Sequence, residues 1–267
     1  MISRNTVWDN IDKVRGSGPV VHSITNYVVM NSTANALLSA GASPIMAHAK
    51  EELEELVILS GALVLNIGTL SPAWIESMRL GASIAAANYK PVVLDPVGAG
   101  ASKLRTSTSL SLLEEGGISL VRGNASEIMA LAGTGAATRG VDSCNDTSEA
   151  EKSAKTLAKK YRCIVAVSGC IDVVTDGDTV YHITGGSEYM PLVTGMGCIA
   201  TAICGAHLAI CEDRFAAAVS AMGCMAAAGG VAELASNGPG SFAVQFIDAL
   251  HNVTENDINR LVEVRVV

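Results

Sequence analysis

The chain has 267 residues, 49% of them apolar but only 4% aromatic, with 16% charged residues and a formal net charge of −8. That length admits one large α/β domain or two small ones and suffices to bury a large core. The acidic balance, with no Lys/Arg cluster, argues against a nucleic-acid binder, which needs cationic patches to displace counterions.

The apolar volume comes from Ala, Val, Ile and Leu, as suits parallel strands buried between helices. Charge this sparse, below the usual quarter of residues, points to a homo-oligomer with covered faces; a compact monomer with an Ala-rich surface is the alternative. Seven cysteines, at 144, 163, 170, 198, 204, 211 and 224, include no CxxC pair and no zinc spacing. This is the usage of a reducing cytosol, with most thiols acting as small buried hydrophobes. The first residues, Met1-Ile2-Ser3-Arg4-Asn5, hold no apolar signal-peptide core, so a cytoplasmic location is expected.

Along the chain, strand-like runs alternate with helical stretches, the pattern of a parallel βαβ sheet. A strand over 20–23 leads through His22-Ser23-Ile24-Thr25-Asn26-Tyr27 into a helix over 27–40, ended by Gly41. A helix over 51–59, a strand over 62–67 and a helix over 72–88 follow. Next come strands over 91–95 and 119–122, then helices over 124–132 and 148–161. After a strand over 163–168, runs at 172–175 and 179–183 flank Asp176-Gly177-Asp178, a hairpin signal that adds antiparallel strands late. Helices over 198–210, 216–236 and 245–250 complete the series. Residues 215–232 carry no charge over 18 positions, at the transmembrane threshold, but their Ala/Gly content reads as a buried core helix. The expected architecture is one doubly wound, mostly parallel sheet flanked by helices, in a single domain over residues 1–267.

Ligands in such sheets bind beyond the carboxyl ends of the strands. Polar residues gather at those ends: Asn66 with Gly68, Asp95, Arg122 with Asn124 and Glu127, Ser168 with Gly169, and Thr194 with Gly195. In Met190-Pro191-Leu192-Val193-Thr194-Gly195-Met196-Gly197-Cys198, a short apolar strand runs into a Thr-Gly-x-Gly turn that opens a helix. Gly195 and Gly197 let the backbone approach a ligand, and the free N–H groups of the first helical turn favour an anion such as phosphate. The same field is expected to lower the thiol pKa of Cys198.

Asp95, before the Pro96-Val97-Gly98-Ala99-Gly100 turn, suits a divalent cation or a substrate, with Glu127 as second carboxylate. A turn-forming Asp-Pro and a helix-dipole Glu are their structural readings. Arg122 fits a bidentate phosphate contact or a structural salt bridge. Asn124 reads as an N-cap with Glu127 closing a capping box. Thr25 or Asn26 caps the following helix or binds substrate. His22 reads as structural, and His48 and His182 have no catalytic context. Cys198 is either a buried small residue or the place where an acceptor hydroxyl gives up its proton. Gly-Lys never occurs, which excludes a P-loop. The formal G-x-G-x-x-A match at 195–200 lacks the following strand and acidic residue of a dinucleotide fold.

Taken in order, these segments resemble the hydroxyethylthiazole kinase family of the ribokinase-like superfamily. The matching pieces are His22-Ser23-Ile24-Thr25-Asn26-Tyr27-Val28, Gly41-Ala42-Ser43-Pro44-Ile45-Met46, Asn66-Ile67-Gly68-Thr69, Leu94-Asp95-Pro96-Val97-Gly98, Arg122-Gly123-Asn124-Ala125-Ser126-Glu127 and Thr194-Gly195-Met196-Gly197-Cys198. The resemblance implies ATP-dependent phosphorylation of 4-methyl-5-(2-hydroxyethyl)thiazole with Mg²⁺, in thiamine biosynthesis or salvage. It implies a homotrimer with sites between subunits; charge and composition lead us to expect no nucleic-acid or membrane partner. It assigns ATP to Arg122, Ser168 and Thr194, and the thiazole to Met46, Gly195, Asn26 and Gly68. Asp95 and Glu127 hold Mg²⁺ through water, and Gly195, Gly197 and Cys198 form the catalytic turn. Two departures stand out: the superfamily generally carries Asp at the position of Cys198, and Thr is more usual at that of Ser168. A related kinase for hydroxymethylpyrimidine or a sugar, and a non-catalytic nucleotide sensor, are the competing readings.

Overall fold

In the computed structural model, which describes residues 1–134 and 147–267, nine strands join into one sheet. They are β1 (Val20–Ile24), β2 (Ser43–Met46), β3 (Ala62–Asn66), β4 (Val92–Asp95), β5 (Ile118–Asn124), β6 (Ile164–Ser168), β7 (Asp172–Thr175), β8 (Val180–Thr184) and β9 (Glu263–Val266). The spatial order is β2-β1-β3-β4-β5-β6-β7-β8-β9. Pairs from β2 through β6 are parallel, and β7, β8 and β9 add antiparallel edges. Among the described residues the helices are α1 (Arg4–Ser17), α2 (Met30–Ser39), α3 (Leu53–Leu59), α4 (Pro72–Ala87), α5 (Lys103–Glu115) and α6 (Ala125–Ala132), followed by α7 (Thr147–Tyr161), α8 (Met196–Leu208), α9 (Arg214–Leu234), α10 (Pro239–Asn252) and α11 (Glu255–Leu261).

Continuous apolar runs in β3, β4 and β6 let both faces of the sheet be covered. Alternate residues feed two cores: Val64, Val93, Leu120 and Ala166 face α8 and α9, while Leu63, Leu65, Val92, Leu94, Val121 and Val165 face the opposite helical layer. Helix α9 is long and apolar enough to cross a membrane, yet 16 of its 21 residues are buried. It packs against α1, α8, α10 and α11 as a core helix. Asn10 of α1 donates to Ser220 of α9 at 2.9 Å inside that buried contact, so the amide has its acceptor.

The late hairpin forms as the Asp-Gly-Asp signal predicts, with Thr175 paired to Val180. Other elements depart from the sequence expectation. Residues 190–193 form no strand: Met190–Leu192 is a 3₁₀ turn, with Leu192 N donating to Tyr189 O at 3.0 Å and Val193 N to Met190 O at 3.2 Å. Pro191 has no N–H to give a sheet, and local turn bonds take up its neighbours. Helix α8 starts at Met196, so Gly195 is its N-cap. Helix α2 starts at Met30, because Asn26 Oδ1 accepts from Val28 N at 3.0 Å and holds the preceding residues in a turn. Neither Thr25 nor Asn26 caps it; the N-cap is Val29, without a side-chain bond. Edge strands β2 and β9 and helices α1, α5 and α11 have no counterpart in the sequence expectation. Cysteines 163, 198, 204, 211 and 224 are free thiols; Cys170 is not, and Cys144 lies outside the described residues.

Candidate active site

Five parallel strands end on polar or polarisable residues: β2 on Met46, β3 on Asn66, β4 on Asp95, β5 on Asn124 and β6 on Ser168. Side chains alternate across a strand, so Asn66, Asp95, Arg122 and Ser168 share the face of Val64, Val93, Leu120 and Ala166. That is the face on which α8 lies. Asn66 stands beside Asp95 in register, and Asn124 beside Ser168. The sheet thus delivers an amide, a carboxylate, a guanidinium and a hydroxyl to the start of one helix.

Gly195 adopts φ +95°, a left-handed conformation that side chains disfavour, with Val29 packed 3.0 Å from where a Cβ would stand. At Gly197 the constraint is space: a Cβ would lie 2.6 Å from Arg122 Nη1. The guanidinium of Arg122 is therefore tucked under the turn, 7% exposed, and its Nη2 donates to Ser168 Oγ. Its buried Nε has no partner among the described residues. Backbone N–H groups of the first turn of α8 and this buried cation together make a positive cradle.

Below the turn lies a connected hydrogen-bond set. Asn66 Nδ2 donates to Asp95 Oδ2 at 2.7 Å, and Thr201 Oγ1 donates to the same oxygen at 2.8 Å. Asn26 Nδ2 donates to Asn66 Oδ1 at 2.8 Å and reaches Cys198 Sγ at 3.6 Å. Burial pushes the Asp95 carboxyl up to about 7, opposed by the Arg122 charge and reinforced by that of Glu127. Cys198 moves the opposite way from the sequence expectation. Burial, then the Asp95 charge, push its thiol up to about 11, outweighing the pull of Asn66, Arg122 and Asn26. Position 198 therefore holds a neutral thiol at physiological pH.

Glu127 closes the expected capping box: Asn124 N donates to its Oε2 at 2.9 Å, and its own N–H donates to Asn124 Oδ1 at 2.9 Å. Its Oε1 accepts from Gly98 N at 2.8 Å. Both oxygens are thus committed to backbone, whereas among the described residues no donor reaches Asp95 Oδ1. No group of three or more His, Cys, Asp or Glu forms a metal cluster among the described residues. This donor set fits a cation that keeps most of its shell as water and phosphate oxygen, with carboxylates at its margin. It does not fit a closed protein cage.

Met46 stands half-buried at the end of β2, one strand outward and in register with Ser23. Thr194 is exposed on the rim of the turn. His22 is structural, its Nε2 against Ala47 O at 2.9 Å, and burial lowers its pKa. His48 stacks on Trp74 with ring centroids 3.7 Å apart, and Trp74 Nε1 donates to Thr25 O at 3.0 Å. Sequence reasoning missed Thr201 and Arg105. Arg105 ties the loops after β3 and β4 together through Gly68 O at 2.8 Å and Val97 O at 2.6 Å. Thr201 carried one signal, a hydroxyl one turn beyond Gly197 in an otherwise apolar stretch of α8.

A carboxylate, a guanidinium and a helix N-terminus converging at the strand ends of a doubly wound sheet place this chain in the class of α/β proteins that bind small, anionic ligands there. Comparison with known proteins narrows the class. A profile of the hydroxyethylthiazole kinase family matches residues 11–256. The chain is 57% identical over 258 residues to the hydroxyethylthiazole kinase of Nitratidesulfovibrio vulgaris strain Miyazaki F, covering 97% of each chain. It is 49% identical to that of Brachyspira hyodysenteriae, over 96% of this chain and 97% of the relative. The solved hydroxyethylthiazole kinase of Pyrococcus horikoshii superposes with a TM-score of 0.91 at 42% identity, over 98% of this chain and 99% of that one. A Staphylococcus aureus pyridoxal kinase shares the fold, with a TM-score of 0.61 at 18% identity over 93% and 97% of the two chains. The chain belongs to the hydroxyethylthiazole kinase family.

Proposed function

We propose that this chain, as a single kinase domain, transfers the γ-phosphoryl group of ATP to the primary alcohol of 4-methyl-5-(2-hydroxyethyl)thiazole in thiamine biosynthesis or salvage. The observation that carries this reading is the placement of Arg122 beneath Gly197, with Asp95 on the same face. Arg122, Ser168 and Thr194 take the ATP phosphates; Gly195, Gly197 and the N–H groups of the turn receive the migrating phosphoryl group. Met46, Asn26, Gly68 and Gly195 line the thiazole side. Asp95 and Glu127 hold Mg²⁺ through water, and the ion, when bound, offsets phosphate charge.

In the reaction the alcohol oxygen bonds to the γ-phosphorus while the bond to the bridging oxygen of ADP breaks. Cys198, as a neutral thiol, accepts the hydrogen bond of the hydroxyl and orients it. A loose transition state leaves little charge on the attacking oxygen early, so the proton departs late, to an oxygen of the transferred phosphoryl group, and Cys198 need only orient the hydroxyl. Tyr27, Val28 and Leu192, all more than 60% exposed beside the turn, support a homotrimer in which a neighbouring subunit completes the site. Five of the six described cysteines are free thiols, and that majority supports a cytoplasmic location.

The test is a panel of alcohols: the thiazole alcohol, hydroxymethylpyrimidine and simple sugars, each assayed for ATP consumption. The thiazole alcohol is expected to give the highest kcat/KM. A better pyrimidine or sugar substrate rejects the assignment.

A further inference from the structure

Asn66 touches both halves of the site. Its amide oxygen accepts from Asn26 Nδ2 at 2.8 Å and from Gly68 N at 3.0 Å, both on the thiazole side. Its amide nitrogen donates to Asp95 Oδ2 at 2.7 Å, on the cation side. Only one orientation of the amide works. Turned over, it would set a carbonyl against a carboxylate and an NH₂ group against two donors.

The link is also dry. Asn66, Asn26 and Asp95 are 2%, 4% and 1% exposed, so each bond acts at low dielectric, where hydrogen-bonded groups polarise one another. Asn26 is itself fixed, accepting from Val28 N at 3.0 Å and reaching Cys198. Thr201 pins Asp95 from the helix side on the same oxygen, without touching Asn26 or Gly68. Moving either end of this chain moves the other.

We infer that Asn66 is a positioning residue that couples the acceptor pocket to the cation-holding carboxylate, so that alcohol and Mg²⁺ each strengthen binding of the other. The inference rests on the assignment of Asn26 and Gly68 to the alcohol and of Asp95 to the cation. An alcohol seated against Asn26 and Gly68 holds the Asn66 oxygen, and Asn66 then presents the free oxygen of Asp95. Thermodynamic linkage makes the effect equal in both directions.

The experiment is calorimetric titration of the full-length protein with 4-methyl-5-(2-hydroxyethyl)thiazole. AMP-PCP is present throughout, with Mg²⁺ in one arm and EDTA in the other. The wild-type chain is expected to bind the alcohol about fivefold or more tightly with Mg²⁺. In Asn66→Ala the ratio falls to about one, and Asn66→Ser, which keeps the buried position polar, is held to the same outcome. Asn26→Ala breaks the chain one residue further out and lowers the ratio too. Thr201→Val weakens Mg²⁺ binding but keeps the ratio. A wild-type ratio of one, or an undiminished ratio in the Asn66 and Asn26 variants, overturns the inference and leaves the kinase assignment standing. A wild-type chain that neither binds nor phosphorylates the thiazole alcohol overturns the assignment, and the inference with it.

Discussion

Arg122 lies directly beneath Gly197: a Cβ on that glycine would stand 2.6 Å from the guanidinium Nη1. The tip of an arginine normally yields at little cost, but this one is buried and bonded to Ser168. The turn and the cation therefore fit as one unit.

For Gly197→Ala we expect the guanidinium to be displaced and the cradle widened. The loss is about tenfold or more in kcat/KM for ATP, equivalent to about 1.4 kcal/mol. Arg122→Ala is expected to raise the KM for ATP. Steady-state kinetics check both, and an unchanged ATP KM in Arg122→Ala moves the nucleotide elsewhere.

Cys198 is expected to be alkylated slowly by iodoacetamide at pH 7.5, since its thiol is pushed up to about 11. The rate at this residue, followed by peptide mass, rises through the alkaline range. Rapid labelling at neutral pH would contradict the neutral thiol. Cys198→Ala should lower kcat far more than it changes KM, and Cys198→Asp should retain or improve activity. A folded but inactive Asp variant removes the hydroxyl proton from this position.

His207 is fully buried in α8, its Nδ1 against Ile203 O at 2.9 Å and its Nε2 without a partner among the described residues. Burial pushes its pKa down from 6.5 to about 4. The unfolded chain therefore binds more protons between those values, and this residue's contribution to stability is lost as pH falls from about 6.5 toward 4, to a total on the order of 3 kcal/mol. Asp95, raised from 3.8 to about 7, acts oppositely, so the wild-type profile alone does not isolate the histidine. His207→Leu should lose less stability than wild type between pH 7.5 and 4.5 in urea unfolding. Equal losses would remove the histidine from the account.

Ser220→Ala leaves Asn10 Nδ2 without its acceptor at the α1–α9 contact. The cost should be about 1–3 kcal/mol, with activity unchanged in the folded fraction. Chemical denaturation measures it; a neutral result means that water or a shifted side chain replaces the bond.

The legible parts of the fold share one physical cause. Strands β3, β4 and β6 are buried on both faces and read as unbroken apolar runs; Asp176-Gly177-Asp178 can hardly be other than a turn. Edge strand β2 has only four residues, includes Pro44 and buries none of them fully, so it shows no buried apolar run. In α5, Lys-Leu-Arg-Thr-Ser-Thr-Ser-Leu-Ser-Leu-Leu scatters its apolar residues too loosely to show one helical face. Residues 190–193 are apolar enough for a strand but have no strand to pair with.

Asn66, Asp95, Arg122, Glu127, Ser168 and the two glycines of the turn could all be picked out along the chain, because a strand's polar end is a local mark. Thr201 left only a faint mark, since a hydroxyl within a helix more often bonds back to its own backbone; here it does so weakly, to Gly197 O at 3.2 Å, while also holding Asp95.

Sequence by itself determined the alternation of buried strands and helices, and which polar residues stand where the strands stop. Tertiary structure alone decided that Asn66 bridges Asn26 to Asp95, that Arg122 underlies Gly197, and that the thiol of Cys198 is raised rather than lowered. Periodicity and turn chemistry act between near neighbours in the chain. Desolvation and charge act between neighbours in space, and the fold chooses those.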